Sequence, residues 1–293
     1  MVTGSHIGAS GGKEVFRVVE ELRTRMAGGF YPLGSPLPPQ RALAEEFEVA
    51  RDTVQRALGQ LREEGWIESK QGSGTRVVRA QKAQSYTARE AIEGRVTLRG
   101  FFDEAFANPE VVLDVCTLTS ESLDMQVKGQ IERIRLGEVG PRSIAIRMLL
   151  PDESLDLPYP RALDDPDGQL TAALKERLLG ITRRHSSSIQ VELRQLEAEG
   201  LVESASIEIR HVMLTPTSKL YLVGGEQALH GPYEVIERPI VLDDEVTVQA
   251  LDVFGLGAQL THYVKNENLD SRGSVFMKSW ESWFDSVWER LAY

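Results

Sequence analysis

Arg51, Asp52, Thr53, Gln55 and Arg56 crowd into residues 51–56, interleaved with Val54, Ala57, Leu58 and Leu61 at helical spacing. The apolar set faces inward and leaves the arginines, the acid, the threonine and the glutamine facing outward. Guanidinium and carboxamide groups on such a face suit base edges: arginine matches guanine and glutamine matches adenine. Other chemistry has little footing. There is no Cys/His cluster, no glycine-rich phosphate loop and no nucleophile elbow. His6, His185, His230 and His262 are scattered without ligand spacing. No catalytic residue, metal or cofactor is expected.

The elements around this cluster are legible. Val15, Val18, Val19 and Leu22 mark a helix over 13–27, stopped by Gly28-Gly29. Residues 31–36 form a turn-rich connection. Pro38-Pro39 opens a second helix, because first-turn amides lack helical partners; Leu43, Ala44 and Phe47 give its buried side. Glu48-Val49-Ala50 is a turn. The third helix runs over 51–64, and Gly65 ends it in the left-handed conformation. Residues 66–69 and 75–78 alternate in polarity around a hairpin tip at 70–74. A helix-turn-helix with a wing places one helix in the major groove of DNA.

Leu37-Pro38, Arg41, Leu43-Ala44, Val49, Arg51, Thr53-Val54, Ala57-Leu58, Leu61, Gly65 and Gln71-Gly72-x-Gly74-Thr75 stand in one fixed spacing across four elements. In this the segment resembles the winged helix-turn-helix of the GntR family of bacterial transcriptional regulators. The resemblance covers about a quarter of the chain. It implies that Arg41 meets phosphate or a base edge and that Arg51 reads guanine. It implies that Thr53 and Gln55 face the same groove. It implies too that Gln71, Gly72, Gly74 and Thr75 follow the backbone or enter the minor groove. Three departures stand out. Pro39-Gln40 replaces the usual serine and acid before Arg41. Ala50 is a poor cap where serine is usual, weakening the recognition helix by about 1 kcal/mol. Gln55 replaces a common arginine and shifts base preference toward adenine.

The 293 residues suggest two domains. The small, polar residues 1–12 are set aside from fold reasoning. The net charge of −11 is unevenly shared: residues 13–79 hold 11 basic and 10 acidic groups, the rest 22 and 34. A near-neutral head still binds DNA when its cations share a face, since phosphate contact is local. Cys116, alone and in an apolar run, gives no internal disulfide and reads as core. With no secretory segment and no run long enough to span a bilayer, a cytoplasmic protein with no membrane partner is expected.

The expected organisation is a winged domain over 13–79, a linker over 80–110 and an effector-binding and dimerisation domain over 111–293, a mixed α/β sandwich. Phe101, Phe102 and Phe106 could dock the linker. Strands are expected at 111–118, 143–150, 205–214, 219–223 and 233–236, with β texture over 239–251. Separate helices are expected at 170–179 and from a capping box at Ser187 and Gln190. Trp280, Trp283, Phe284, Val287, Trp288 and Leu291 form a core or dimer face on a final helix.

Thr217-x-Lys219, Gly224 and then Gly231-Pro232-x-Glu234 are similar to the His-x-Lys…Asp…Gly-Ser-x-Asn motif of the phospholipase D superfamily. Threonine replaces the nucleophilic histidine, glycine the aspartate, and Glu234 the asparagine. The resemblance therefore implies a degenerate relative that keeps a pocket in which Lys219 meets an anion. Arg147, Arg210, His211 and Tyr233 are further candidates for that pocket. The expected function is a homodimeric DNA-binding transcriptional regulator on an inverted repeat, not an enzyme, controlled by a small, anionic effector. Repression is the commoner outcome for such a resemblance. Two alternatives stay open: a phospholipase D-type phosphodiesterase with a DNA-targeting domain, and a GntR regulator with a chorismate-lyase-like sensor.

Overall fold

The computed structural model describes residues 8–27, 30–31, 34–63, 66–70, 74–78, 83–85, 97–242, 246–253, 255 and 259–293. The amino-terminal unit comprises α1 (Gly8–Ala27), α2 (Gln40–Glu46), α3 (Arg51–Glu63) and the hairpin of β1 (Ile67–Lys70) and β2 (Gly74–Val77). Helix α1 begins five residues earlier than its apolar spacing indicates. Val18, Val19, Leu22 and Met26 of α1 meet Leu43, Phe47, Val54, Leu58 and Leu61 in one core, which Trp66, Ile67 and Val77 of the hairpin close. In the turn between α2 and α3, Glu48 takes a φ of 55°. That conformation strains a residue bearing Cβ by about 1 kcal/mol. Gly74 opens β2 at a φ of 77°, in the region that favours glycine. Gly34 and Leu37 donate to Val77 and Thr75 carbonyls at 2.8 and 2.9 Å, so the connection before α2 lies along the wing.

The second unit is built on a mixed seven-stranded sheet. Its strands are β3 (Ala83–Ser85), β4 (Glu110–Cys116), β5 (Ser143–Pro151), β7 (Ser204–Val212), β8 (Ser218–Val223), β9 (Gln227–Pro232) and β12 (Leu260–Val264), in the order β3-β12-β9-β8-β4-β5-β7. β4, β5 and β7 run parallel, and β8 and β9 are antiparallel. Helix α5 (Glu121–Arg135) joins β4 to β5, and α6 (Gln169–Ala198) leads into β7. Alternation along the strands sorts the core. Leu113, Val115, Ile144, Ile146 and Met148 face α5, α6 and α4 (Leu98–Phe106). Leu149, Val212, Leu220 and Leu222 face the final helix α7 (Arg272–Arg290). A second sheet, in the order β10 (Val235–Val241), β11 (Thr247–Val253) and β6 (Arg161–Ala162), stands beside the first.

Several expectations change. Of the linker expected over 80–110, residues 80–82 and 86–96 lie outside the described residues; Leu98, Phe101, Phe102, Ala105 and Phe106 bury one face of α4 in the main core, and β3 pairs with β12. The two helices expected over 170–179 and beyond Ser187 are one 30-residue helix. Leu174, Ile181, Ile189, Leu193 and Leu196 keep a buried stripe through the serine run, and no proline interrupts the ladder. On α7, Phe284, Val287 and Trp288 are buried and Trp280 and Trp283 half-buried, but Leu291 lies past the helix end and is exposed.

The two units touch. Helix α1 contacts α5, Ile236 of β10 packs against the amino-terminal core, and the Arg99 guanidinium lies 6.0 Å from the Phe30 ring centroid.

Candidate nucleic-acid interface and ligand cavity

Helix α3 carries Arg51 and Gln55 exposed and one turn apart, so the two side chains share a face. Beside them Arg56 Nε lies 3.3 Å from Asp52 Oδ2, both exposed. Arg41, at the start of α2, is also exposed and meets Glu45 Oε1 at 2.9 Å. Thr53 is a correction: it is buried. It stands one turn before Ala57 and two before Leu61, on the inward stripe, and its amide donates to the Ala50 carbonyl at 3.0 Å. In the wing, Thr75 Oγ1 lies 2.9 Å from Ser69 Oγ, which also accepts from Arg62 Nη2 at 3.1 Å. This chain ties the wing to α3, and the sequence reading missed it. Gly74 has open space where a Cβ would stand; Gln71 and Gly72 lie outside the described residues.

A cavity of about 310 Å³ lies where the two units meet. Arg23, Gln60 and Trp66 reach it from the winged unit. Glu121, Ser122, Arg177 and Lys219 reach it from α5, α6 and β8, and Arg238 and Asp252 from the smaller sheet. Lys219 is 3% exposed, and its ammonium donates to Ser122 Oγ at 2.7 Å. Burial pushes its pKa down to about 8, with Glu121 opposing the fall. Ser122 lies in the first turn of α5, where partly positive amide ends favour negative charge. Arg238 is committed to Asp252 Oδ2, its Nε at 2.9 Å and Nη2 at 2.6 Å. The Tyr233 hydroxyl accepts from the Leu118 amide at 2.8 Å and meets Thr117 Oγ1 at 3.0 Å, so the ring is what Tyr233 adds to the wall.

Three of the five expected pocket residues lie elsewhere. Arg147 occupies the opposite sheet face, with Nε and Nη2 on the two carboxylate oxygens of Asp114 at 2.6 and 2.7 Å. Asp285 meets it from α7 at 3.0 Å. Arg210 lies 4.4 Å from the Trp288 ring centroid and donates to the Trp288 carbonyl at 2.9 Å. Both arginines fasten α7 to the sheet. His211 lines a separate hollow of about 60 Å³, and its amide donates to the Tyr293 carbonyl at 3.0 Å. The residues the sequence reading missed are Arg23, Gln60, Trp66, Glu121, Ser122, Arg177, Arg238 and Asp252. The one available signal was Ser120-Glu121-Ser122, a helix start at the carboxyl end of a parallel strand, where ligands gather in α/β folds.

Among the described residues, no group of three or more His, Cys, Asp or Glu side chains is placed to hold a metal ion. Burial pushes the Cys116 thiol up to about 12, which suits an inert core residue. No described helix is long and apolar enough to cross a membrane.

Residues 15–77 match the family described as "Bacterial regulatory proteins, gntR family". The amino-terminal domain is a winged helix-turn-helix of that type. The chain is similar to the HTH-type transcriptional regulator GmuR of Bacillus subtilis (strain 168), 36% identical over 63 residues, covering 22% of this chain and 27% of that protein. It is also similar to the mannosyl-D-glycerate transport/metabolism system repressor MngR of Escherichia coli (strain K12), 44% identical over 68 residues, covering 23% and 28%. A solved GntR family transcriptional regulator from Listeria monocytogenes is 31% identical, covering 22% of this chain and 56% of that one, at a TM-score of 0.21. The chain spans less than a third of the length of these curated relatives.

Proposed function

We propose that the protein is a DNA-binding transcriptional regulator that grips an inverted repeat as a homodimer. The observation that carries this reading is the exposed Arg51 and Gln55 pair on α3, set in a winged domain of a type found in regulators. In the dimer, two copies of α3 enter successive major grooves about 34 Å apart. Arg51 reads guanine, Gln55 adenine, Arg41 and Arg56 meet phosphates, and the wing from Gln71 to Thr75 follows the backbone. Thr53 holds the helix from inside and drops out of the contact set. Repression is the expected sign, and work on chromosomal DNA puts the protein in the cytoplasm. Genome-wide mapping of bound DNA tests the reading. Enrichment at a few sites sharing a short inverted repeat supports it; uniform coverage overturns it.

For the larger domain we keep the likeness to a degenerate phospholipase D-like fold as part of the proposal. It is supported by the register that sets Lys219 opposite Gly231 across β8 and β9. At Gly231 a Cβ would come within 2.0 Å of the Gln259 carbonyl oxygen, so only glycine fits. Thr217, at the histidine position, is exposed and has no imidazole to form a phospho-enzyme, which favours binding over hydrolysis. The parallel trio β4, β5 and β7 also differs from the antiparallel sheet that a chorismate-lyase-like sensor requires. In this reading Lys219 and Tyr233 serve an effector, and Arg147, Arg210 and His211 do not.

A further inference from the structure

The cavity between the units has a composition that selects its occupant. Its walls carry the cations Arg23, Arg177, Lys219 and Arg238 and the carboxylates Glu121, Glu237 and Asp252, leaving one positive charge in excess. The Arg238–Asp252 pair is closed on itself. Lys219 is buried, as Arg23 also is, and its ammonium has a neutral hydroxyl as its hydrogen-bond partner. An ammonium has three donors, and burial outweighs the nearby Glu121 charge in its effect on the lysine. Both facts ask for an anion beside Lys219, at the amino end of α5. Beside the polar Gln60, Thr119 and Ser122, most of the remaining wall is apolar, with Trp66, Leu178, Ile181, Tyr233, Ile236 and Val253. A bare inorganic ion would leave that surface wet. The volume, near the lower end for small-molecule pockets, suits one or two rings or a short chain.

We propose that this cavity binds a small organic monoanion, an apolar body with one carboxylate head on Lys219, and that the ligand clamps the winged domain to the sheet domain. The head meets Lys219 and the first-turn amides of α5. The body lies against Trp66 and Gln60, at the far end of the unit whose α3 faces DNA. Because these wall residues belong to the winged unit, filling the cavity fixes the orientation of α3 relative to the larger domain. Any difference in DNA affinity between the free and clamped arrangements is then reciprocated as a difference in ligand affinity. That last consequence rests on the DNA-binding reading; the ligand site does not.

The test is calorimetric titration of the full chain at neutral pH with 2-naphthoate, with its neutral isostere 2-naphthamide, and with acetate. The naphthoate is expected to bind at least about tenfold tighter than either comparison ligand, a gap of about 1.4 kcal/mol. Lys219→Met should weaken naphthoate about tenfold or more and leave naphthamide unchanged. Gln60→Ala, in the winged unit, should weaken naphthoate about threefold or more. Equal binding of naphthoate and naphthamide, or no binding of naphthoate, overturns the proposal without recourse to any variant. Tight acetate binding overturns the apolar body, and an unaltered Gln60→Ala overturns the clamp. Anisotropy titration of Arg51→Ala with mapped DNA fragments, run without ligand, reports on the DNA-binding reading alone.

Discussion

The outer face of α3 and the cavity beneath it both gather cations, yet they hold them in opposite ways. Arg51 and Arg56 stand in water, where a charge needs no partner to persist. Lys219 stands dry, with Ser122 as its partner. In the proposed reading the exposed set is neutral toward folding and meets a polyanion that brings many phosphates, so its affinity should be salt-dependent. In the proposed reading the burial of Lys219, which Glu121 offsets only in part, is relieved by an anionic ligand, so that ligand should also stabilise the fold. On the proposed reading, one side meets an extended partner and the other a small one. Trp66 and Gln60 belong to the same small domain as the exposed face, and in the proposed clamp they connect the two.

Trp66→Ala is the severest way to break this arrangement. The ring is 2% exposed, in the core of the winged unit, and it walls the cavity. Removing such a side chain costs about 3–5 kcal/mol. Urea denaturation followed by circular dichroism should show the winged unit melting early while the sheet domain persists. An unshifted first transition would show that the ring does not hold the unit together.

Lys219→Met reverses the sign. The native lysine titrates near 8 and the unfolded one at its ordinary 10.5. Between those values the unfolded chain holds a proton that the native state has released, so wild-type stability rises with pH across that window. Below pH 8 the burial penalty is fully present, and the methionine variant should then be more stable by roughly 3 kcal/mol. That advantage should shrink as pH climbs toward 10.5. A variant less stable than wild type at pH 7, measured by chemical denaturation, would show that Glu121 and Ser122 together outweigh the cost of burying Lys219.

The contrast also explains what the sequence reveals. The α3 face is local: a 3.6-residue period fixes which side chains are dry, and Arg51 and Gln55 follow from it. Thr53 is polar, yet its spacing from Ala57 and Leu61 puts it on the inward stripe, where it is buried. Phe101, Phe102 and Phe106 likewise carried a helical signal strong enough to mark α4 as core rather than linker. The cavity is non-local. Lys219 stands in a motif, but Arg23, Gln60 and Arg177 come from helices distant in sequence and carry no mark that sets them apart from solvated polar groups. Arg147 and Arg210 had the right chemistry for the pocket, yet strand alternation and packing against α7 took them to the other side of the sheet.

Arg51→Ala sharpens the comparison from the exposed side. Loss of a base-reading arginine should weaken specific DNA binding by about 1–3 kcal/mol and relax preference at one base pair. The fold should be unaffected, because the side chain is exposed. Unchanged selectivity in a gel-shift titration against mapped fragments would remove Arg51 from the reading set.

The smallest effect is the most discriminating. Arg56 forms an exposed i,i+4 pair with Asp52 at 3.3 Å. Such pairs contribute about 0.3–0.5 kcal/mol, so Arg56→Ala should barely alter melting. If Arg56 also meets a phosphate, the variant should bind every sequence somewhat more weakly and lower the slope of log affinity against log salt by about one. A buried cation cannot behave this way: Lys219→Met should change stability and leave the salt slope alone. Measuring both slopes on one DNA fragment separates the two kinds of positive charge, and a lowered slope in Lys219→Met would place that lysine at the DNA rather than in the cavity.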